Sequence, residues 1–409
     1  MIFVILCVVL SYIIAILFAF KYRFAALALL TAVSTRVGLF FINDWGVYRV
    51  PGAGRDAANF IRRSAEVADL PWANLVSMIE PSKGGTNYSI LGGSIVKLVG
   101  HDAPTIAAVN LVFATLMLSV VLVLVFKIWG KRAAVAAILV LAFYPFSLFN
   151  SVIALREEVS SLFGILGAAA VIYWSRNGVF YFLYLAAAFF LLAASFHPGW
   201  SGALVGLAAF SLWRSTQIVR LATAGHRVSR YEFSLVMSAV IFVSGVAILL
   251  SLPGFSLLSL FDGYVGEDAD IGDAITARFA REEALGGSGY PSFITHGDPM
   301  TQPWLIPLRI FYFLFSPFPW DIRSPRHVLG LSSSLLYMFI FWKLYKHWDQ
   351  VKQHKELIPI IFIFAGLTFV FAVGVTNIGT AIRHKTKFLP ILLLFGAVAF
   401  HNLRIRFGR

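Results

Sequence analysis

Residues 141–174 read LAFYPFSLFNSVIALREEVSSLFGILGAAAVIYW, in which three adjacent charges, Arg156, Glu157 and Glu158, separate two apolar runs. Each run is apolar enough to lie in a membrane as a helix. A charge at the centre of a bilayer costs about 2.5 to 3.5 kcal/mol on insertion scales, so the triplet is expected at a water–lipid boundary or facing a polar cavity. The simpler interpretation is a polar turn between helices. Gly, Asn or Pro would form such a turn at lower cost, so an edge of an active site is the alternative.

The rest of the 409-residue chain is as apolar as this stretch. Hydrophobic residues make up 59% of it and charged residues 13%, and the mean hydropathy is +0.81. The apolar segments are continuous rather than alternating with period 2, which excludes a membrane β-barrel. The composition therefore predicts an all-α, polytopic transmembrane helix bundle, with the bilayer rather than nucleic acid as the partner of its net charge of +13. Cys7 is the only cysteine, so a disulfide framework or a cysteine metal site within the chain is excluded.

About eleven spans are predicted in what we expect to be one integral membrane domain, residues 1–409. Two long polar segments, 43–104 and 253–326, interrupt them. In the second, residues 304–319 are apolar but contain three prolines and one arginine, which predicts a re-entrant or interfacial segment. The predicted spans are 2–20, 24–42, 105–126, 133–152, 160–174, 179–196, 200–213, 233–252, 328–342, 357–375 and 388–400.

Basic residues indicate the orientation of these spans. Lys21 and Arg23 follow the first span, which lacks a basic leader and a cleavage site and is therefore expected to remain uncleaved. If the N-terminus lies outside, the cytoplasmic segments contain 17 of the 33 basic residues but three of the 20 acidic ones. The positive-inside rule thus predicts that the N-terminus is out, the C-terminus is in, and both long loops are external.

With this orientation, four groups of polar residues fall on the outer side. Simpler interpretations exist for three of them: a helix cap for Asp56, a turn at His197, and a polar loop around Arg383. Three cations in an outer loop nevertheless oppose the positive-inside bias. The four groups are Arg55 and Asp56; Arg156, Glu157 and Glu158; His197; and Arg383, His384, Lys385 and Lys387.

Such cations beside a carboxylate suit a particular chemistry. Arginine offers a bidentate contact and lysine a point charge to an anionic lipid headgroup such as a polyprenyl phosphate or diphosphate. A nearby carboxylate can accept a proton from an acceptor hydroxyl. These are the needs of glycosyl transfer from a lipid phosphate, with cations on the departing phosphate.

The order of four motifs resembles that of the GT-C superfamily of multi-spanning glycosyltransferases, which use polyprenyl-linked sugar donors. The first motif is acidic and aromatic and opens the first external loop. The second and third are a short helix with its basic turn, and a leucine–polar–glutamate motif. The last is a late Arg-to-Pro motif before a final apolar helix. The matching stretches are Asp56 to Phe60 with Ala65; NYSILGGSIVKLVG at 87–100 with 130–133 and 141–145; LREEVSSLF at 155–163; and RHKTKFLP at 383–390.

The resemblance implies that Asp56 is the catalytic base, that Glu157 or Glu158 is a second acid, and that Arg383 contacts phosphate. Arg55, Arg156, His197, His384, Lys385 and Lys387 are the further substrate-binding candidates. No metal ligand is assigned. The chain departs from the family in having His197 where many members have Arg, an additional first helix, and no large soluble C-terminal domain. These departures leave open the acceptor (glycan, lipid or protein) and a divalent cation (Mg or Mn) as cofactor.

The resemblance predicts an inverting glycosyltransferase of cell-envelope glycan synthesis, in a bacterial inner membrane with its site facing the exterior. A Wzy-type polysaccharide polymerase, which joins lipid-linked repeat units, is the alternative of related fold. A lipid-linked glycan transporter without catalysis would show repeated halves and several deep polar residues, whereas only Arg36 clearly lies deep in a span. A structural subunit of an envelope complex would not need the acid-and-cation constellation.

Overall fold

The computed structural model describes residues 1–79, 83–100, 104–251, 288–295 and 302–401. Regular structure within these ranges is helical, and the one β contact there is an isolated bridge between Gly289 and Asn377. The predicted all-α class is confirmed. The helices are α1 (Ile2–Lys21), α2 (Ala26–Asp44), α3 (Arg55–Ala68), α4 (Trp72–Ser77), α5 (Gly84–Val99), α6 (Pro104–Trp129), α7 (Lys131–Phe143), α8 (Pro145–Asn150), α9 (Glu157–Asn177), α10 (Tyr181–Phe196), α11 (Ser201–Thr223), α12 (Arg230–Ser251), α13 (Ser292–Thr295), α14 (Leu305–Phe315), α15 (Pro325–Lys346), α16 (Trp348–Gln353), α17 (Leu357–Val373), α18 (Ile378–Gly396) and α19 (Val398–His401).

Five of the described helices are long and apolar enough to cross a membrane: α1, α2 with the 3₁₀ turn before it, α6, α9 and α15. The chain is an integral membrane protein on this evidence, while the count of eleven spans and the orientation stay predictions. The apolar segment 304–319 contains the 11-residue helix α14, which is about 16 Å long and shorter than a bilayer core. Much of the predicted loop 253–326 lies outside the described residues.

The predicted span 133–152 is wrong as one helix, because the chain breaks into α7 and α8 at Tyr144. Pro145 has no N–H, so the carbonyl of Leu141 loses its helical donor four residues later. Arg36 of α2 replaces this donor, with its Nη2 2.9 Å from the Leu141 oxygen and 3.1 Å from Ser147 Oγ. Arg36 is 1% exposed, and its place deep in the apolar bundle is explained by the break it satisfies.

Glycines set the closest helix contacts. At the crossing of α11 and α17, a Cβ on Gly206 would lie 2.2 Å from the Phe362 oxygen, and one on Gly366 would lie 2.2 Å from the Gly202 oxygen. Small residues allow backbones to approach in this way where apolar burial alone cannot drive association. In α5, a Cβ on Gly92 would lie 2.4 Å from Ser64 Oγ of α3. Helix α3, which carries Asp56, is thereby held directly against α5.

The predicted last span, 388–400, begins too late. Helix α18 starts at Ile378, where the Asn377 side chain caps it by accepting from the backbone N–H of Gly379 at 2.8 Å. The predicted site residues Arg383, His384, Lys385 and Lys387 therefore lie on a helix, and the alternative of a polar loop there is wrong. Arg383 and Lys387, four residues apart, share one face of α18.

Candidate active site

Arg383 joins carboxylates from two other helices. Its Nη1 donates to Asp56 Oδ2 at 2.5 Å, and its Nε donates to Glu157 Oε1 at 2.6 Å. The three residues come from α18, α3 and α9, and both contacts span more than 200 positions of the chain. The Asp56 side chain is 56% exposed, whereas that of Glu157 is 1% exposed. One carboxylate of the pair therefore reaches solvent and the other is enclosed.

The position of Asp56 on α3 removes one alternative. Helix α3 begins at Arg55 with Gly54 as its N-cap, so Asp56 lies within the first turn. The interpretation of Asp56 as the cap of a helix starting near Ala57 is wrong. A carboxylate in the first turn still stabilises the helix N-terminus through the helix dipole.

Lys387 adds a second cation to the enclosed carboxylate. Its Nζ lies 3.4 Å from Glu157 Oε1 and 2.9 Å from His384 Nδ1. The Lys387 side chain is fully buried, with its Nζ 5.7 Å from the centre of the Phe371 ring.

His197 lies in the break between α10 and α11, outside both helices. Its ring is 4.9 Å from the ring of His384 and 5.2 Å from that of Phe371. Burial, and then the neighbouring charges of Lys387 and Arg156, hold the pKa of His197 well below its usual value, so the ring is neutral at pH 7. Among the described residues its Nδ1 has no hydrogen-bond partner.

Arg156 completes the charge of the cluster. Its guanidinium lies 6.0 Å from the centre of the Phe60 ring of α3, and it raises the positive potential at Glu157. With all groups ionised, the cations Arg156, Arg383 and Lys387 exceed the carboxylates Asp56 and Glu157 by one charge. This formal excess of positive charge suits an anionic ligand.

Two of the predicted residues, Glu158 and Lys385, do not join this cluster. Glu158 is 4% exposed, and the cation that acts on its carboxylate is Arg36 of α2. Lys385 Nζ donates to the carbonyls of Leu314 at 3.1 Å and Ser316 at 2.8 Å, at the end of α14. Arg55 begins α3, and its side chain is outside the described part of the chain.

Sequence reasoning missed Asn110, which shapes the approach to α9. Its Nδ2 donates to the carbonyl of Ile153 at 2.7 Å and to that of Leu155 at 2.8 Å, two positions before Glu157. A signal was present, because Asn110 is an amide inside the apolar segment 105–126 and needs a partner in the membrane.

The converging groups do not fit a divalent cation. No three His, Cys, Asp or Glu side chains come together in the part of the chain that the structure describes. The two carboxylates that meet, Asp56 and Glu157, already accept from the Arg383 guanidinium, and Lys387 adds a further positive charge beside Glu157. A hard cation needs several oxygen ligands that are free of such donors.

The chain matches no protein-family model, and no curated protein matches it. Its structure is similar to that of the Archaeoglobus fulgidus oligosaccharyltransferase in the apo form, with 16% identity over 93% of this chain and 50% of that chain and a TM-score of 0.48. It is also similar to the archaeal oligosaccharyltransferase AglB from Archaeoglobus fulgidus in complex with an inhibitory peptide and a dolichol-phosphate, with 14% identity, the same coverage and a TM-score of 0.49. The chain spans about half the length of these structures. Similarity of this degree identifies no residue role or substrate in this chain.

Proposed function

We propose that this chain is a GT-C-type membrane glycosyltransferase. It transfers a sugar or oligosaccharide from a polyprenyl phosphate or diphosphate carrier to an acceptor hydroxyl on the outer face of the membrane. The observation that carries the proposal is the bridge from Arg383 to both Asp56 and Glu157, with Lys387 beside it. A solvent-reaching carboxylate next to an excess of fixed cations supplies a base for the acceptor and positive charge for the departing phosphate.

The exposure of each group supports a division of roles. Asp56, the half-exposed carboxylate, is the base that takes the proton of the acceptor hydroxyl. Arg383 and Lys387 bind the phosphate oxygens as the bond from the sugar to the phosphate breaks. Glu157, which is enclosed, holds both cations in place between turnovers and keeps their buried charge compensated.

The bound phosphate also changes the state of the base. Arg383 Nη1 donates to Asp56 Oδ2 at 2.5 Å. A phosphate that accepts from the same guanidinium competes with Asp56 for this donor. We therefore expect the Asp56 carboxylate to lose its contact with Arg383 once the lipid donor is bound, so that it can accept from the acceptor hydroxyl where the leaving group is already held.

An apolar groove of about 660 Å³ supports a lipid-linked donor. It lies among α14, α15, α17 and α18, and its lining includes Leu314, Phe341 and Phe364. The Phe364 ring is 5.5 Å from the ring of Phe388, the residue next to Lys387. An isoprenoid chain in this groove would keep its apolar length out of water.

The test is Asp56→Asn, which keeps the size of the side chain but cannot accept the proton. The protein is reconstituted in nanodiscs with synthetic polyprenyl-phosphate and polyprenyl-diphosphate sugars, and release of the lipid phosphate is measured. We expect turnover to fall by about 10²-fold or more while the protein folds and binds donor normally, because a positioned base contributes 10²–10⁴-fold.

Asp69→Asn is the matched control, because Asp69 lies at the other end of the same helix. Turnover close to wild type is expected for this variant. Normal turnover of Asp56→Asn would remove the base from the mechanism and contradict the proposal. Transfer of one sugar versus addition of a whole repeat unit to a growing chain, seen in the size of the product, distinguishes a monosaccharide transferase from a Wzy-type polymerase.

A further inference from the structure

The segment that leads into Glu157 is buried although it is not helical. Residues 151–155 are each 3% exposed or less. Their backbone carbonyls are therefore shielded from water and need donors from the protein. Asn110 of α6 supplies both hydrogens of its amide to two of them, Ile153 and Leu155. The Ile153 carbonyl also accepts from the backbone N–H of Leu155 at 2.8 Å, so Asn110 is the side chain that ties this segment, and the start of α9 after it, to α6.

The same amide is connected to the helix of the other carboxylate. The hydroxyl of Tyr88 in α5 lies 3.1 Å from Asn110 Nδ2 and 3.4 Å from Asn110 Oδ1, so it can accept from the amide or donate to it. The Tyr88 ring packs edge-on against Phe60 of α3, with 5.1 Å between ring centres. Phe60 lies one helical turn after Asp56, on the same face of α3.

A continuous series of contacts therefore links the two carboxylates through the protein interior. It runs from α3 through Phe60, Tyr88 and Asn110 to the carbonyl of Leu155, two residues before Glu157. Tyr88 and Asn110 are both 1% exposed. Among the described residues, neither is hydrogen-bonded to Arg383, but both contact the segments that carry the two carboxylates of its bridge.

We propose that Tyr88 and Asn110 are positioning residues, which hold the Asp56 and Glu157 carboxylates at the separation that Arg383 bridges. The inference rests on the proposed function for its consequence in catalysis, but the positioning itself is a property of the fold. A site held to within about 0.5 Å requires supporting side chains whose own hydrogen bonds are satisfied, and these two meet that requirement.

Two variants separate the parts of this arrangement. Asn110→Leu keeps a similar volume and removes both donors to the segment before α9. Tyr88→Phe keeps the ring against Phe60 and removes only the hydroxyl, so it tests the link if Asn110→Leu does not fold. We expect kcat to fall about 10-fold or more in Asn110→Leu and less in Tyr88→Phe, with KM for the lipid-linked donor within about 3-fold of wild type, since misplaced groups lower the rate of the chemical step.

A double-mutant cycle distinguishes positioning from general destabilisation. In the Asp56→Asn background, Asn110→Leu should have little further effect on kcat, because both changes act on the same step. If instead the losses in kcat from the two single variants multiply in the double variant, the proposal is overturned. The control is Thr115→Val in the same helix, where the buried hydroxyl donates to the Leu111 carbonyl of α6 at 2.8 Å. Its kcat per folded protein should match wild type.

Hydrogen exchange keeps this inference separate from the proposed function. If the wild-type protein transfers no sugar from any donor tested, the proposed function fails and exchange decides the positioning. Asn110→Leu should then speed backbone exchange in both 55–62 and 151–158, two segments distant in the chain, while Thr115→Val speeds neither. Faster exchange in 151–158 alone, or in neither segment, would show that the amide does not connect the two carboxylates.

Discussion

Helix α9 has an Arg–Glu ion pair at each end, and the two contacts are equally short. At its start, Arg383 Nε lies 2.6 Å from Glu157; at its end, Arg176 Nη2 lies 2.6 Å from Glu356. The helix has 21 residues, so the pairs are about 30 Å apart, which is close to the thickness of a bilayer core. Both charges also interact favourably with the dipole of α9, because Glu157 is at its N-terminus and Arg176 is in its last turn.

The surroundings of the two pairs differ. The Arg176 side chain is 37% exposed and the charges there balance, with His354 Nδ1 3.4 Å from the same Glu356 oxygen. At the Glu157 end a second carboxylate, Asp56, shares the arginine, and Lys387 and Arg156 leave an excess of positive charge. The pair at the Arg176 end has one positive and one negative charge and connects two helices. The cluster at the Glu157 end has more formal positive than negative charges, so it can also bind an anionic ligand. The ion-pair distance alone would not separate these two cases.

Removing the arginine at the first end should have the larger effect. Arg383→Ala is expected to lower transfer about 10²- to 10³-fold, the usual loss when a positioned donor to developing charge is removed. Arg383→Lys should recover only part of this, because an ammonium cannot bridge two carboxylates as a guanidinium does. Lipid phosphate release in nanodiscs measures both variants. Wild-type activity in Arg383→Ala would exclude a phosphate-binding role.

A second prediction separates two cations of the same helix, Lys385 and Lys387. Lys385→Met should lower the free energy of unfolding by about 1–3 kcal/mol, because it removes the donor to two buried carbonyls at the end of α14. Its activity per folded molecule should stay near wild type. Lys387→Met should show the reverse, with its main loss in donor binding and turnover. Thermal unfolding and donor titration of both variants test this; loss of donor binding in Lys385→Met would place that residue in the site.

The smallest effect is expected at the other end of α9. Arg176→Ala should leave transfer unchanged and lower stability by about 0.2–1 kcal/mol, the range for exposed ion pairs.

Burial would raise the pKa of Glu356, but the hydrogen bond and charge of Arg176 outweigh it and the pKa is lowered. A lowered folded pKa stabilises the protein above the ordinary carboxyl range, and this gain is lost as the pH falls through and below that range. The stability difference between wild type and Arg176→Ala, followed by thermal unfolding, should therefore shrink on acidification. A difference that grows would contradict the assignment.

The sequence by itself determined the class of the protein and the kind of group in its site. Apolar length alone predicts the membrane helices, because a bilayer imposes the same length on every span. Glu157 at the start of α9 and the cations before Pro390 could be singled out because charges are rare in such a chain. The last span was predicted to begin at residue 388, but α18 begins at Ile378, ten residues earlier. Hydropathy detects only the length of an apolar segment, so it does not detect a helix that begins at a cap such as Asn377 with polar residues in its first turns.

Only the tertiary structure decided which partner each charge has. Glu157 and Glu158 are neighbours, yet one meets Arg383 and Lys387 and the other faces Arg36 of α2. A helix turns about 100° per residue, so adjacent positions point to different neighbours, and residue 385 lies nearly opposite residue 383. Which neighbour lies on each side depends on how α3, α9 and α18 cross, and close approaches such as that of Gly92 to Ser64 control those crossings. The contact between Asp56 and Arg383 joins residues 327 positions apart, and no local pattern in the sequence contains that information.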